Sequence, residues 1–244
     1  MTSRTGSSSS RGSALSGATE LVYGRRAVRE ALRGRREVLE VLVTERAARD
    51  GWGPRPKVVS ERVLSELAGT RDHQGVVARV EPYRYADAYE LAATREPLLV
   101  CLDQVTDPRN LGAVCRSAEG AGATGVILPA HRSARVTPVV ARSSAGAVEH
   151  LPVAVVPNLA RFLNEVKGPR LWVWAADAAG VPMGEADLSG GLALVFGAEG
   201  EGLRPLVRRA CDGVVSIPLA GRVESLNVSV AAAVLLYEAR RRRG

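Results

Sequence analysis

Apolar positions along the first eighty residues switch between two periods. Gly24 to Leu32 repeats at helical spacing, Val38-Leu39-Glu40-Val41-Leu42-Val43 reads as a strand, and Lys57-Val58-Val59 leads into a helical stretch through Leu67. Gly75-Val76-Val77-Ala78-Arg79-Val80 is a further strand. Together they predict a small α/β module over residues 20–81, about sixty residues and close to the lower limit for independent folding. Residues 1–19, rich in Ser, Gly and Thr, lack the apolar surface to order themselves and are expected to be a disordered tail. Residues 82–97, with two prolines and mixed charge, read as a linker.

From residue 98 to the end the pattern alternates regularly. Strands are expected at Leu98–Leu102, Gly125–Leu128, Leu151–Val156, Leu171–Trp174, Leu192–Phe196 and Val214–Ile217. Helices are expected from Asn110 to Ala121, from Asn158 to about Val166, in a short turn begun by Pro205, and from Ser225 to about Arg241. Strands that are apolar throughout and separated by helices imply a parallel sheet covered on both faces, with active groups at the strands' carboxyl ends.

With 46% hydrophobic residues the 244-residue chain can build a proper core, and its net charge of +7 favours an anionic partner. Only Lys57 and Lys167 among the 33 basic residues are lysine, and arginine's planar fork suits phosphate. Cys101, Cys115 and Cys211 lack the spacing of a zinc or redox motif, and His73, His131 and His150 form no ligand pattern, so no metal site is expected. The absence of a long apolar run or a signal peptide core points to a soluble cytoplasmic protein with no membrane partner. Arg25, Arg29, Arg33 and Arg36 recur near helical spacing and are expected to form one basic edge for the phosphates of an anionic partner such as a nucleic acid.

Three segments carry the chemistry. Asp103 to Arg116 leaves a strand, turns at Asp107-Pro108 and enters a helix on which Gly112 precedes Arg116 by one turn, leaving room for a bulky partner to approach the guanidinium. Asn110, at the entrance of that helix, is free to cap it or to meet substrate. Gly197-Ala198-Glu199-Gly200-Glu201-Gly202 follows another strand, and its two carboxylates favour a cationic or neutral ligand over a polyphosphate. Ile217 to Ser229 runs from a strand through a loop into the last helix, with Ser225 expected as N-cap and Asn227 and Ser229 as polar groups in an otherwise apolar first turn and a half.

In order and spacing these segments resemble the three motifs of the SpoU (TrmH-type) branch of the SPOUT methyltransferases, over roughly residues 97–242, and within it the 23S rRNA guanosine 2′-O-methyltransferases. Tyr23-Gly24 and His73-Gln74-Gly75-Val76-Val77-Ala78 resemble the ends of that group's N-terminal module, which is similar to ribosomal RNA-binding proteins. The resemblance implies a SPOUT-type parallel sheet over residues 98–244, tied at its C-terminal end into a deep trefoil knot, and a homodimer with active sites near the subunit interface. It further implies S-adenosylmethionine as cofactor, a sulfonium without phosphates, held around Gly197, Gly202, Ile217, Leu219, Leu226 and Asn227. Arg116 would activate the ribose 2′-hydroxyl, with Asn110, Glu199, Ser225 and Asn227 positioning substrate or loops. The substrate is expected to be a guanosine ribose in 23S rRNA. The alternatives are the same reaction on tRNA, an antibiotic-resistance rRNA methylase, and a non-catalytic RNA-binding or ribosome-assembly protein.

Overall fold

The structure, a computed structural model, describes residues 18–53, 55–223 and 225–243. The expected tail lies, up to residue 17, outside the described residues. The N-terminal module is a four-stranded sheet of β1 (Glu20–Tyr23), β2 (Val38–Val43), β3 (Lys57–Val58) and β4 (Val76–Val80), in the order β1-β4-β2-β3. Helices α1 (Arg25–Ala31) and α2 (Glu61–Ala68) complete it. Strand β1 is too short to show a period in the sequence and exists because β4 supplies antiparallel partners from Glu20↔Val80 to Tyr23↔Val77.

The second sheet has the order β10-β8-β9-β5-β6-β7, every neighbouring pair parallel. Its strands are β5 (Leu98–Asp103), β6 (Gly125–Pro129), β7 (Val153–Val156), β8 (Trp172–Pro182), β9 (Leu192–Gly197) and β10 (Gly213–Ser216). Helices α3 (Ala88–Ala92), α4 (Pro108–Gly120), α5 (Pro138–Ser143), α6 (Leu159–Val166), α7 (Pro205–Ala210) and α8 (Val228–Arg243) cover it. The two-residue period of β5 sorts the layers. Leu98, Val100 and Leu102 pack in one core with Leu111 and Val114 of α4 and Leu235 of α8, whereas Leu99 and Cys101 pack with Leu159 and Phe162 of α6 and Val207 of α7. Each fully buried Leu or Val in these layers contributes roughly 1.5–3 kcal/mol.

Several boundaries differ from the sequence expectation for physical reasons. Helix α8 begins at Val228, not Ser225, because Asn227 takes the capping role: its Oδ1 accepts the Ser229 amide at 2.9 Å. Helix α5 falls in a stretch where the sequence pattern shows none, although Thr137 caps it and Pro138 opens it. Residues 82–97 are not a free connection. Ala86 bridges to Ala154, Asp87 caps α3, and the Tyr85 hydroxyl accepts the Val136 amide at 3.1 Å. The last turn of α8 uses its arginines internally, Arg240 on the Ala121 carbonyl and Arg243 on that of Pro97, so this part of the basic charge closes the fold.

The two modules share one core. Val22, Ala27 and Val28 of the first belong to the same buried cluster as Leu111, Val140 and Val148 of the second. Across this seam Glu149, whose side chain is fully buried, receives Arg36 through Nε at 2.9 Å and through Nη2, and Arg36 reaches Glu20 at 2.9 Å and lies over the Tyr83 ring. His150 meets Glu30 at 2.8 Å beside it. Among the described residues no helix is long and apolar enough to cross a membrane.

Truncating Glu149 would leave Arg36 buried without its main partner. Glu149→Ala is therefore expected to cost about 3–5 kcal/mol, seen as a lower midpoint in urea unfolding. Replacing both partners by apolar residues, Arg36→Met with Glu149→Leu, is expected to restore most of that loss; an unchanged midpoint in the single variant would show that the seam does not depend on the pair.

Candidate active site

The carboxyl ends of β5, β9 and β10 lie on the same side of the parallel sheet, and the loops leaving them hold the three sequence segments. Strand β5 ends at Asp103, in register with Gly197 at the end of β9. The Asp103 carboxylate has no solvent exposure; it accepts the Arg204 amide at 3.0 Å and Arg204 Nε at 2.8 Å. That double contact pulls the chain after β9 back over the sheet end. The loop 197–202 can close so tightly only because Gly197 has no side chain: a Cβ there would lie 2.2 Å from the backbone of Gly202. Gly202 takes φ 67° and donates its amide to Ala198 at 2.9 Å.

Glu199, at the tip of this loop, is the acceptor on which the segments meet. Asn110 Nδ2 donates to Glu199 Oε1 at 2.9 Å, Asn227 Nδ2 donates to the same oxygen, and Asn227 Nδ2 also reaches Asn110 Oδ1 at 3.1 Å. Asn110 stands free for this because Asp107 caps α4 instead, accepting the Arg109 amide at 2.8 Å. Asn227 likewise has its oxygen committed to the start of α8, through the Ser229 amide and hydroxyl, which orients its amide nitrogen toward Glu199. One carboxylate thus ties together residues 89 and 28 positions away in the chain.

Beside this cluster opens a cavity of about 490 Å³, lined by Gln104, Asp107, Asn110, Arg132, Glu199 and Glu201 among others. Its volume suits a small ligand or one extruded nucleoside. Gln104 and Arg132 hold positive φ angles of 62° and 53°, costly for residues with side chains and typical of places where a loop is held for a purpose. Sequence reading did not single out Asp103, Arg204, Gln104 or Arg132. The available signal was position alone, since all follow the carboxyl ends of strands.

Of the expected site residues, Asn110, Glu199 and Asn227 are brought into contact. Gly197 and Gly202 shape the loop. Ile217 is half-buried against the main core, and Leu219 and Leu226 are 40% and 36% exposed in the chain segment that leads into α8. Ser225 is exposed and does not cap α8. Arg116 is exposed on α4 and, among the described residues, makes no hydrogen bond or ion pair and does not line the cavity of its own chain. The space expected beside it at Gly112 is filled from within, since a Cβ there would lie 1.9 Å from Ser143 Oγ of α5. Gly112 serves helix packing.

The four N-terminal arginines do not make one edge. Helix α1 ends at Ala31, so helical spacing stops applying before Arg33 and Arg36. Arg25 pairs with Asp50 at 2.9 Å, Arg29 lies over the Trp52 ring, Arg33 is exposed beside Glu30, and Arg36 is only 8% exposed within its pair with Glu149. Arg36 belongs to the seam and not to a phosphate-binding surface. Buried Cys115 has its thiol pushed up to about 12 by desolvation, and Cys101 is raised further by the same cause, so both remain neutral core residues. Among the described residues no group of three or more His, Cys, Asp or Glu side chains is arranged to hold a metal.

Comparison with known proteins follows the same division of the chain. Residues 97–237 match the SpoU rRNA Methylase family, and residues 21–86 match the family described as RNA 2′-O ribose methyltransferase substrate binding. The chain is 39% identical over 245 residues to an uncharacterized tRNA/rRNA methyltransferase of Synechocystis sp., covering 93% of this chain and 64% of that protein, so it spans a little under two thirds of that relative's length. It is 41% identical over 244 residues to the 23S rRNA (guanosine-2′-O-)-methyltransferase RlmB of Pectobacterium atrosepticum, covering 93% and 99% of the two chains. The crystal structure of the SpoU methyltransferase AviRb from Streptomyces viridochromogenes in complex with AdoMet superposes with a TM-score of 0.76 at 29% identity, covering 91% of this chain and 90% of that one. The chain belongs to the SpoU rRNA methylase family.

Proposed function

We propose that this protein transfers a methyl group from S-adenosylmethionine to a ribose 2′-hydroxyl of ribosomal RNA, a guanosine of 23S rRNA being the target. The observation that carries the reading is the Asn110–Glu199–Asn227 cluster, which joins the three segments beside a nucleoside-sized cavity. A relative of nearly equal length that acts on that RNA supports the substrate.

The residues at the strand ends suit the cofactor. Leu219 and Leu226 leave apolar surface uncovered for an aromatic ring, the glycine loop exposes backbone amides and carbonyls, and Glu199 and Glu201 would repel a polyphosphate while tolerating a sulfonium. When bound, S-adenosylmethionine supplies an activated methyl that needs little help to leave. The protein's task is alignment and removal of a proton. Asn110 and Asn227 fix the Glu199 loop against the start of α4. A guanidinium keeps its proton in proteins, so Arg116 acts best as a cation that stabilises the forming 2′-alkoxide.

Because Arg116 stands outside its own cavity, it acts in a homodimer that covers the α4/α8 surface. Val230 and Tyr237 of α8 are 47% and 53% exposed there, and the Tyr237 hydroxyl lies against Gly120, one turn from Arg116. Membership of the SpoU family supports a C-terminal trefoil knot. Residues 20–81 select the RNA, residues 98–244 perform the transfer, and the enzyme works in the cytoplasm.

Arg116→Ala is expected to lower kcat by about 10²–10³-fold with unchanged cofactor affinity, measured as label transferred from S-adenosylmethionine to undermethylated total RNA. Full transfer by that variant would remove Arg116 from the mechanism, and label confined to tRNA would overturn the substrate. Glu199→Gln keeps one neutral acceptor for the two asparagines but loses the charge and the free choice of oxygen, so kcat/KM should fall about tenfold or more while the melting temperature of this exposed site barely moves. A variant with wild-type kcat/KM would show that the cluster does not position the site.

A further inference from the structure

A second cleft, of about 920 Å³, opens in the N-terminal module at the start of α1, the turn after β2 and the turn before β4. Arg25, Arg46 and Arg71 line it together with Thr44, Ser60 and Gln74. The turn 71–75 forms one rim, and helix α5 of the methylase module stands immediately beyond it. Arg142 of α5 donates through Nε to the Asp72 carbonyl at 3.4 Å. Its stem occupies the space over Gly24, where a Cβ would lie 2.6 Å from Arg142 Cδ, and Gly24 has φ 91°. Both the backbone conformation and the seat of Arg142 therefore require glycine at that position.

Helix α5 is seated in turn on the start of α4. Ser143 Oγ reaches the Pro108 carbonyl at 3.4 Å, and the absent side chain of Gly112 admits the α5 backbone. Arg142 and Arg109 are the chain neighbours of this Ser143–Pro108 contact, so the step from α5 to α4 carries an arginine on each side. One residue after Arg109 stands Asn110, at the catalytic cavity, which Arg132 also lines. Arg46 and Arg71 thus line the first cleft, Arg142 and Arg109 flank the contacts that join α5 to the turn 71–75 and to α4, and Arg132 lines the second cleft.

Four of these, Arg46, Arg71, Arg109 and Arg132, are exposed and have no side-chain ion pair among the described residues. The acids of the same stretch are Glu45, Glu61, Asp72 and Asp107, with Glu199 and Glu201 in the catalytic cavity; Asp107 is committed to capping α4, Glu199 to Asn110 and Asn227, and Asp50 is taken by Arg25. The seam beneath is locked by Arg36 and Glu149, so the spacing of the two clefts is fixed.

Resting on the RNA methyltransferase reading, we propose that these five arginines form a phosphate track across the module seam, along which an RNA backbone held in the N-terminal cleft reaches the catalytic cavity. Guanidinium forks on both modules neutralise successive phosphates, so the seam is itself part of the substrate site. Base readout is left to the clefts at its two ends.

The test uses the full chain and an RNA carrying the nucleotide that the wild type methylates. Arg71→Gln and Arg109→Gln, neither of which breaks an internal contact, should each raise KM for RNA roughly five- to tenfold at moderate salt and make the slope of log affinity against log salt shallower by about 0.7–0.9. Turnover at saturating RNA and cofactor affinity should stay at wild-type values. Arg161→Gln, on α6 across the second sheet, is the control and should change neither quantity. If the wild type methylates its RNA and both track variants match the Arg161 control in KM and salt slope, the track is wrong and the enzyme assignment stands. If the wild type methylates no RNA, the enzyme assignment itself falls.

Discussion

A carboxylate sealed from water must be given donors, and Asp103 ends the central strand of the larger sheet in that condition. Its donors come from Arg204, a residue that the chain reaches only after leaving β9 and closing the glycine loop. Satisfying Asp103 therefore decides where the loop goes. Once the loop is drawn back, Glu199 reaches the first turn of α4 and the cap of α8, where Asn110 and Asn227 donate their side-chain amides to it. The polar cluster on the surface follows from a charge that had to be paired inside.

The same logic operates at the seam between modules. Arg36 and Glu149 are both removed from water, so each has value only in the other's presence, and the pair fixes how the small sheet sits on the methylase module. A module of about sixty residues gains little from its own core. Tyr23, Leu42, Leu64 and Val77 form a small core of its own, while Val22, Val28, Val43 and Val76 among others join the cluster built on α4 and β5. The consequence is geometric: the N-terminal cleft and the cavity are held in relation to each other by one continuous core.

Glycines mark the closest approaches, and in each case what comes close is the protein's own backbone or side chain. Gly112 admits Ser143 of α5, Gly197 admits the returning loop, and Gly24 admits the stem of Arg142. A glycine within a motif invites the idea of a ligand, but two of these three are filled by helix α5. The strain at Gln104 and Arg132, where no glycine relieves it, is a better marker of the cavity wall.

The alternation of apolar strands and helices, the parallel sheet, and the three segments at strand ends were legible in the sequence, because periodicity and capping act over a few residues and leave their trace there. So were Asn110, Glu199 and Asn227 as a group, through their motifs. Local signals failed where a partner distant in the chain decided the outcome. Strand β1 exists by pairing with β4, helix α8 starts three residues late because Asn227 outcompetes Ser225 for the cap, and residues 82–97 pack because Ala154 and Val136 offer partners. Arg36 looks in sequence like its neighbours Arg25 and Arg33. Only the tertiary structure places Glu149 against it, and an arginine's role is set by whether its counter-charge is a buried carboxylate or the solvent.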